Sequence, residues 1–164
     1  MLALAGCSSS TGGNATFTPP TTTASQIAQQ LKALDPCSVI PDSTASTLHL
    51  TMLGRHDLTS PVAWGCKWQA QAETVGTANV YTVLFSIYPD SDATDLNTQG
   101  QTVTQVSTNG RSGLKLDDGN GSCTLTMKIT DTSSAEIIAS ADESRACSIA
   151  TDVASIVEPK LPKG

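Results

Sequence analysis

The residues of this 164-residue chain whose types could do chemistry are five cysteines, two histidines and a scatter of Ser, Thr and Asp. Cys37, Cys66, Cys123 and Cys147 make an even set, which in an exported chain reads as disulfides. Four cysteines allow three pairings. Cys37 with Cys66 and Cys123 with Cys147 is the pairing expected here, because each closes a loop of moderate length. Each such bridge contributes roughly 3 to 4 kcal/mol by the loop-entropy estimate. Sequence alone leaves the other pairings open. Zinc is the competing chemistry, but there is no C-x-x-C pair, and His49 and His56 lie away from the cysteines.

Other constellations carry less. Gly110-Arg111-Ser112-Gly113 invites comparison with a nucleophile elbow, yet G-x-S-x-G would need glycine where Leu114 stands. His49 and His56, with Asp57, could act as base or ligands, but no third ligand or placed nucleophile accompanies them. Asp90, Asp92 and Asp95 suggest calcium superficially. The EF-hand loop, however, needs Gly and Glu where this chain has Asp95 and Gln101. Asp117-Asp118-Gly119-Asn120-Gly121 reads as turn chemistry. No catalytic residue, metal site or cofactor fingerprint emerges. Trp68 is expected in the core beside the Cys37 to Cys66 bridge, whereas Trp64, in a loop after Pro61, is the candidate contact residue.

The fifth cysteine has a different setting. Leu4-Ala5-Gly6-Cys7 matches the bacterial lipobox, in which Cys7 is lipidated and becomes the new N-terminus. Only Met1 to Gly6 precede it, whereas a secretory signal needs a basic region and roughly 7 to 15 apolar residues. The expectation is a start further upstream, or a trimmed signal. Ser8 to Ser25 has no charged residue and almost no large apolar one, so it cannot offset its ordering entropy and reads as a flexible tether. Residues 1–24 are therefore set apart from a single domain at 25–164. Charged residues at 15% and aromatics at 4%, with abundant Ser and Thr, fit an exported surface protein. A net charge of -6 argues against nucleic acid, and no stretch approaches the roughly 20 apolar residues of a membrane span.

The elements that must position these residues follow from periodicity. Ile27, Leu31 and Leu34 at helical spacing behind a Ser25 cap predict a helix over 25–34, ended by Asp35-Pro36. A second short helix is expected from Asp42 or Ser43 to about Leu50, then a loop over 54–61. Period-2 alternation predicts strands over 65–73, 79–88, 103–106, 112–116, 123–130 and 135–139, with an Asn109-Gly110 turn. A short helix is expected at 93–98. A final helix over 142–161 places Cys147, Ala150, Val153, Ala154 and Val157 on one stripe, broken by Pro159. This order implies an α+β domain, an antiparallel sheet with helices packed on one face.

Together, Leu34-Asp35-Pro36-Cys37-Ser38-Val39-Ile40, Cys66-Lys67-Trp68, Cys123 and Cys147-x-x-Ala150 with Leu161-Pro162 resemble the actinobacterial domain-of-unknown-function lipoproteins. The resemblance covers residues 34–162. It implies export, a lipid anchor on the extracytoplasmic face of the cell membrane, two disulfides and a small α+β domain similar to the PsbP-like fold. It supplies no reaction, cofactor or active-site residue. The expected function is that of a non-catalytic envelope module, held to the membrane through Cys7, whose partner is an unidentified envelope protein. The alternative is a carrier of a hydrophobic small molecule or lipid in a groove between sheet and helices, which needs an apolar cavity of roughly 300 Å³ or more.

Overall fold

The computed structural model describes residues 22–57, 63–70, 80–92, 101–142 and 145–163. Helix α1 spans Ala24–Ala33. Its cap is Thr23, two residues before the expected Ser25: Thr23 Oγ1 accepts from the Gln26 amide at 3.3 Å while Gln26 Oε1 accepts from the Thr23 amide at 2.9 Å. This capping box displaces Ser25 because it satisfies two groups at once. Leu34 and Asp35 are extended before Pro36, as the ring of a following proline demands. A 3-10 turn at Pro36–Ser38 and helix α2 at Asp42–Thr47 follow.

The second helix stops at Thr47, and residues 50–57, read partly as helix and partly as loop, form strand β1 (Leu50–Asp57). His49, in the left-handed region at φ 52°, turns the chain into that strand. Pairing with β2 slips between Met52 and Gly54, and this bulge breaks the alternation that would have shown the strand in the sequence.

The remaining strands are β2 (Trp64–Ala70), β3 (Tyr81–Tyr88), β4 (Thr102–Thr108), β5 (Arg111–Asp117), β6 (Ser122–Thr130) and β7 (Ser133–Ser140). Helix α3 (Ala146–Val157) and a 3-10 turn at Glu158–Lys160 close the domain. The expected helix at 93–98 lies outside the described residues. All pairings are antiparallel in the order β1-β2-β3-β7-β6-β5-β4. The sheet is thus two meanders, β1-β2-β3 and β4-β5-β6-β7, joined where β3 pairs with β7. Asn109 (φ 49°) and Gly110 (φ 89°) make the two-residue β4–β5 turn as expected.

One face of the sheet holds the core. Cys66, Trp68, Val83, Phe85, Leu125, Met127 and Ile137 are each at most 2% exposed and pack with Ile27 and Leu31 of α1 and with Val153 and Val157 of α3. The α3 stripe is the expected one, and small residues, Ala135 and Ala139 on β7 with Ala150 and Ala154 on α3, line this core where the helix packs on β6 and β7. Two disulfides staple the layers in the expected pairing. Cys37–Cys66 ties the first 3-10 turn to β2, and Cys123–Cys147 ties β6 to α3.

Candidate functional site

The opposite face of the sheet carries a row of small and polar residues across its middle. Register builds it: Gly65 on β2 faces Ser86 on β3, Ser86 faces Glu136 on β7, and Glu136 faces Thr126 on β6. All four are buried, with Ser86 at 0%, Thr126 at 1% and Glu136 at 6% exposure. A side chain on Gly65 would drive its Cβ to 2.5 Å from the Phe85 carbonyl oxygen and 3.0 Å from Ser86 Oγ, so glycine lets β2 and β3 pair beside the row. Thr126 stands where the β5–β6 ladder ends, beyond the Lys115–Leu125 pair. Its hydroxyl accepts from the Leu114 amide at 2.8 Å, standing between β5 and β6 where a ladder bond would be.

Tyr88, two residues beyond Ser86 and so on the same face, donates its phenol to Glu136 Oε1 at 3.2 Å. Burial pushes the Glu136 carboxyl above its ordinary value, with the Tyr88 hydrogen bond opposing it. Burial, then the Glu136 charge, then the bond to Glu136 push the Tyr88 phenol up as well. The neighbouring Ser86 hydroxyl, in hydrogen-bonding reach of the phenol, pulls the other way. The row can therefore accept hydrogen bonds and hold a proton.

The reactive residues singled out in the sequence do not converge. His49 precedes β1 and is exposed, His56 lies on β1 with its side chain outside the described part, and Ser112 is on β5, with four strands between. Asp90 pairs with Lys32 at 2.9 Å, and Asp95 lies outside the described residues. Asp117 and Asp118 accept from the amides of Gly119, Asn120 and Ser122 at 2.8 to 3.0 Å, the turn chemistry expected of them. Among the described residues no group of His, Cys, Asp and Glu is arranged to hold a metal ion. Trp68 is core, as expected, and its indole N–H has no partner. Trp64 opens β2 half-buried, donating its indole N–H to the Leu34 carbonyl at 3.3 Å, so it braces β2 against the end of α1.

A family model described as a protein of unknown function, DUF3558, matches residues 2–160. The chain belongs to this family. No curated protein and no solved structure matches it significantly, so the likeness to the PsbP-like fold rests on the sequence resemblance alone.

Two hollows stand out among the described residues of this DUF3558 domain. The larger, about 570 Å³, is lined by Asn109, Arg111, Ile129, Glu158, Pro159 and Lys163. Arg111 governs it: its guanidinium bonds Glu158 Oε1 at 3.3 Å, the Lys128 carbonyl at 3.3 Å and the Pro162 carbonyl at 3.1 Å. All three arms of that fork are spent on holding the β4–β5 turn, β6 and the C-terminal segment together. The smaller hollow, about 230 Å³, lies where the β5–β6 ladder ends, walled by Val106, Ser112, Leu114 and Lys128. Neither lies between sheet and helices, where the described side chains form the apolar core. Sequence reasoning missed Glu136, Tyr88 and Arg111. A lone Glu in Ser133–Ser140 alternates as a solvent-facing residue would, and only its pairing with Ser86 and Thr126 puts it mid-sheet.

Proposed function

We propose that this DUF3558 chain is an extracytoplasmic lipoprotein of the actinobacterial type. It is anchored through a lipidated Cys7 and presents the folded domain at the outer face of the cytoplasmic membrane for a non-catalytic contact with another envelope component. One observation carries the reading: Leu4-Ala5-Gly6-Cys7 stands directly before a charge-free Ser/Thr/Pro tether that leads into a domain stapled twice. Disulfides persist in oxidising compartments, which agrees with export. A multiply acylated cysteine holds a membrane stably where a single chain would not, and the tether lets the domain stand clear of the bilayer.

The apolar side chains packed between sheet and helices among the described residues favour a contact through the surface over a lipid held between the layers. Half-buried Trp64 and the exposed Met52 and Leu53 on edge strand β1 offer apolar area for it. The test is growth of a host expressing the gene with its own leader on an alkyne-tagged fatty acid. Label on the native protein and none on Cys7→Ser, which shifts to the soluble fraction, is the expected result. An unlabelled native protein overturns the reading.

A further inference from the structure

We propose that edge strand β4 docks a second copy of this chain, pairing antiparallel with that copy's β4 about a two-fold axis at Gln105, so that two sheets become one. This surface is distinct from Trp64 and β1, and the proposal stands whether or not Cys7 carries lipid.

The β4–β5 hairpin fixes which backbone groups of β4 face outwards. Thr108 and Arg111 flank the two-residue turn and so exchange both of their backbone bonds, and the alternation of an antiparallel ladder gives Val106, Thr104 and Thr102 the same role. Val103, Gln105 and Ser107 therefore direct their N–H and C=O groups away from β5. All three residues are exposed. Among the described residues no strand pairs with β4 on that side, and no turn or loop makes a backbone hydrogen bond to these three. An edge strand invites further pairing unless charge, proline or a bulge blunts it. The opposite edge is blunted, since β1 has its bulge between Met52 and Gly54 and carries Arg55, His56 and Asp57. Strand β4 reads TVTQVST, with no charge, no proline and an unbroken register on β5. Its β-branched Thr102, Val103, Thr104, Val106 and Thr108 suit a paired strand.

The strand's own sequence points to the occupant. About Gln105 it is nearly symmetric, Thr102 matching Thr108, Val103 matching Ser107 and Thr104 matching Val106. Antiparallel pairing centred there sets Val103 opposite the second copy's Ser107 and Gln105 opposite the second copy's Gln105. These are the outward-facing residues, so each pair exchanges both of its N–H···O bonds. Between them, Thr104 meets Val106 and Thr102 meets Thr108, cross-strand pairs of β-branched residues that favour association. At the axis the two Gln105 amides each offer a donor and an acceptor to the other. A charged partner strand would find no counter-charge along β4, whereas a second copy brings an equally neutral one. The net charge of -6 on each copy opposes approach, but physiological salt screens it beyond about 8 Å. One strand pair buries less than the roughly 1,200 Å² of stable interfaces, so the dimer is weak, with a dissociation constant between about 50 µM and 1 mM.

The experiment is sedimentation equilibrium of the oxidised full chain from about 5 µM to about 1 mM at physiological ionic strength, with backbone hydrogen exchange read by mass spectrometry at both ends of that range. Expected is a monomer–dimer equilibrium in which the Val103, Gln105 and Ser107 amides are protected at the high end and exchange freely at the low end. Gln105→Lys and Gln105→Glu each set like charges opposite one another at the axis and weaken association by about tenfold or more. Gln105 is exposed, so both variants keep the fold. Mixing the two in equal amounts restores the dimer, because opposite charges then meet. A monomer throughout the range overturns the proposal, as does a dimer indifferent to both substitutions or a mixture that stays monomeric. Protection of the three amides at the low end also overturns it, since the strand would then be covered by this chain's own residues.

Discussion

Glu136 and Arg111 show how differently one sheet treats two buried charges. The Glu136 carboxyl is held above its ordinary value by burial, so the folded chain binds its proton more tightly than the unfolded chain does. That contribution is complete at pH below the ordinary glutamate value and is lost as pH rises through the raised one. Thermal melts of Glu136→Gln against the native protein should accordingly coincide near pH 4 and separate towards pH 7, with the variant the more stable; a gap that closes with rising pH would contradict the burial account. Arg111 is compensated fully, its side chain and that of Glu158 being 10% and 11% exposed. Removing one member of such a pair strands the other, so Arg111→Ala should lower unfolding free energy by about 3 kcal/mol in urea titrations. Arg111→Lys, which keeps the charge but not the three-way fork, should fall between.

At the scale of elements, helix α1 enters the core only through Ile27 and Leu31, and its start depends on the Thr23 capping box. Thr23→Ala should cost about 1 kcal/mol, read as a lower urea midpoint with an unchanged slope. The Cys37–Cys66 bridge holds the turn that follows this helix against β2 across a separation of 29 residues. The double variant Cys37→Ala, Cys66→Ala should lose about 3 kcal/mol, and a loss near zero would show that packing alone fixes the turn. Most elements were legible because their signals are local. The β3 alternation, the Asn109-Gly110 turn and the α3 stripe each lie within a dozen residues. Strand β1 was not, since its bulge at Leu53 destroys the period by which strands are read. The Glu136 row was not, since it exists only through the pairing of β3 with β7 and β7 with β6, a long-range register that no window of sequence contains.

At the scale of the molecule, the two faces of one sheet divide the labour. The helical face is filled by apolar side chains and locked by two disulfides, and the far face buries the polar row of Ser86, Thr126 and Glu136. Among the described residues the edge strands β1 and β4 carry the exposed Met52, Leu53 and Val103, and Val80 is exposed just before β3. The central claim is that this stapled domain hangs from a lipidated Cys7 outside the cytoplasm. Its most direct test is the intact mass of the native protein extracted from membranes of its own host without reductant. The account predicts a chain beginning at Cys7, heavier by a glyceride and acyl groups and lighter by four hydrogens for two disulfides. An unacylated chain retaining the residues before Cys7, or one with the full complement of thiol hydrogens, would contradict it.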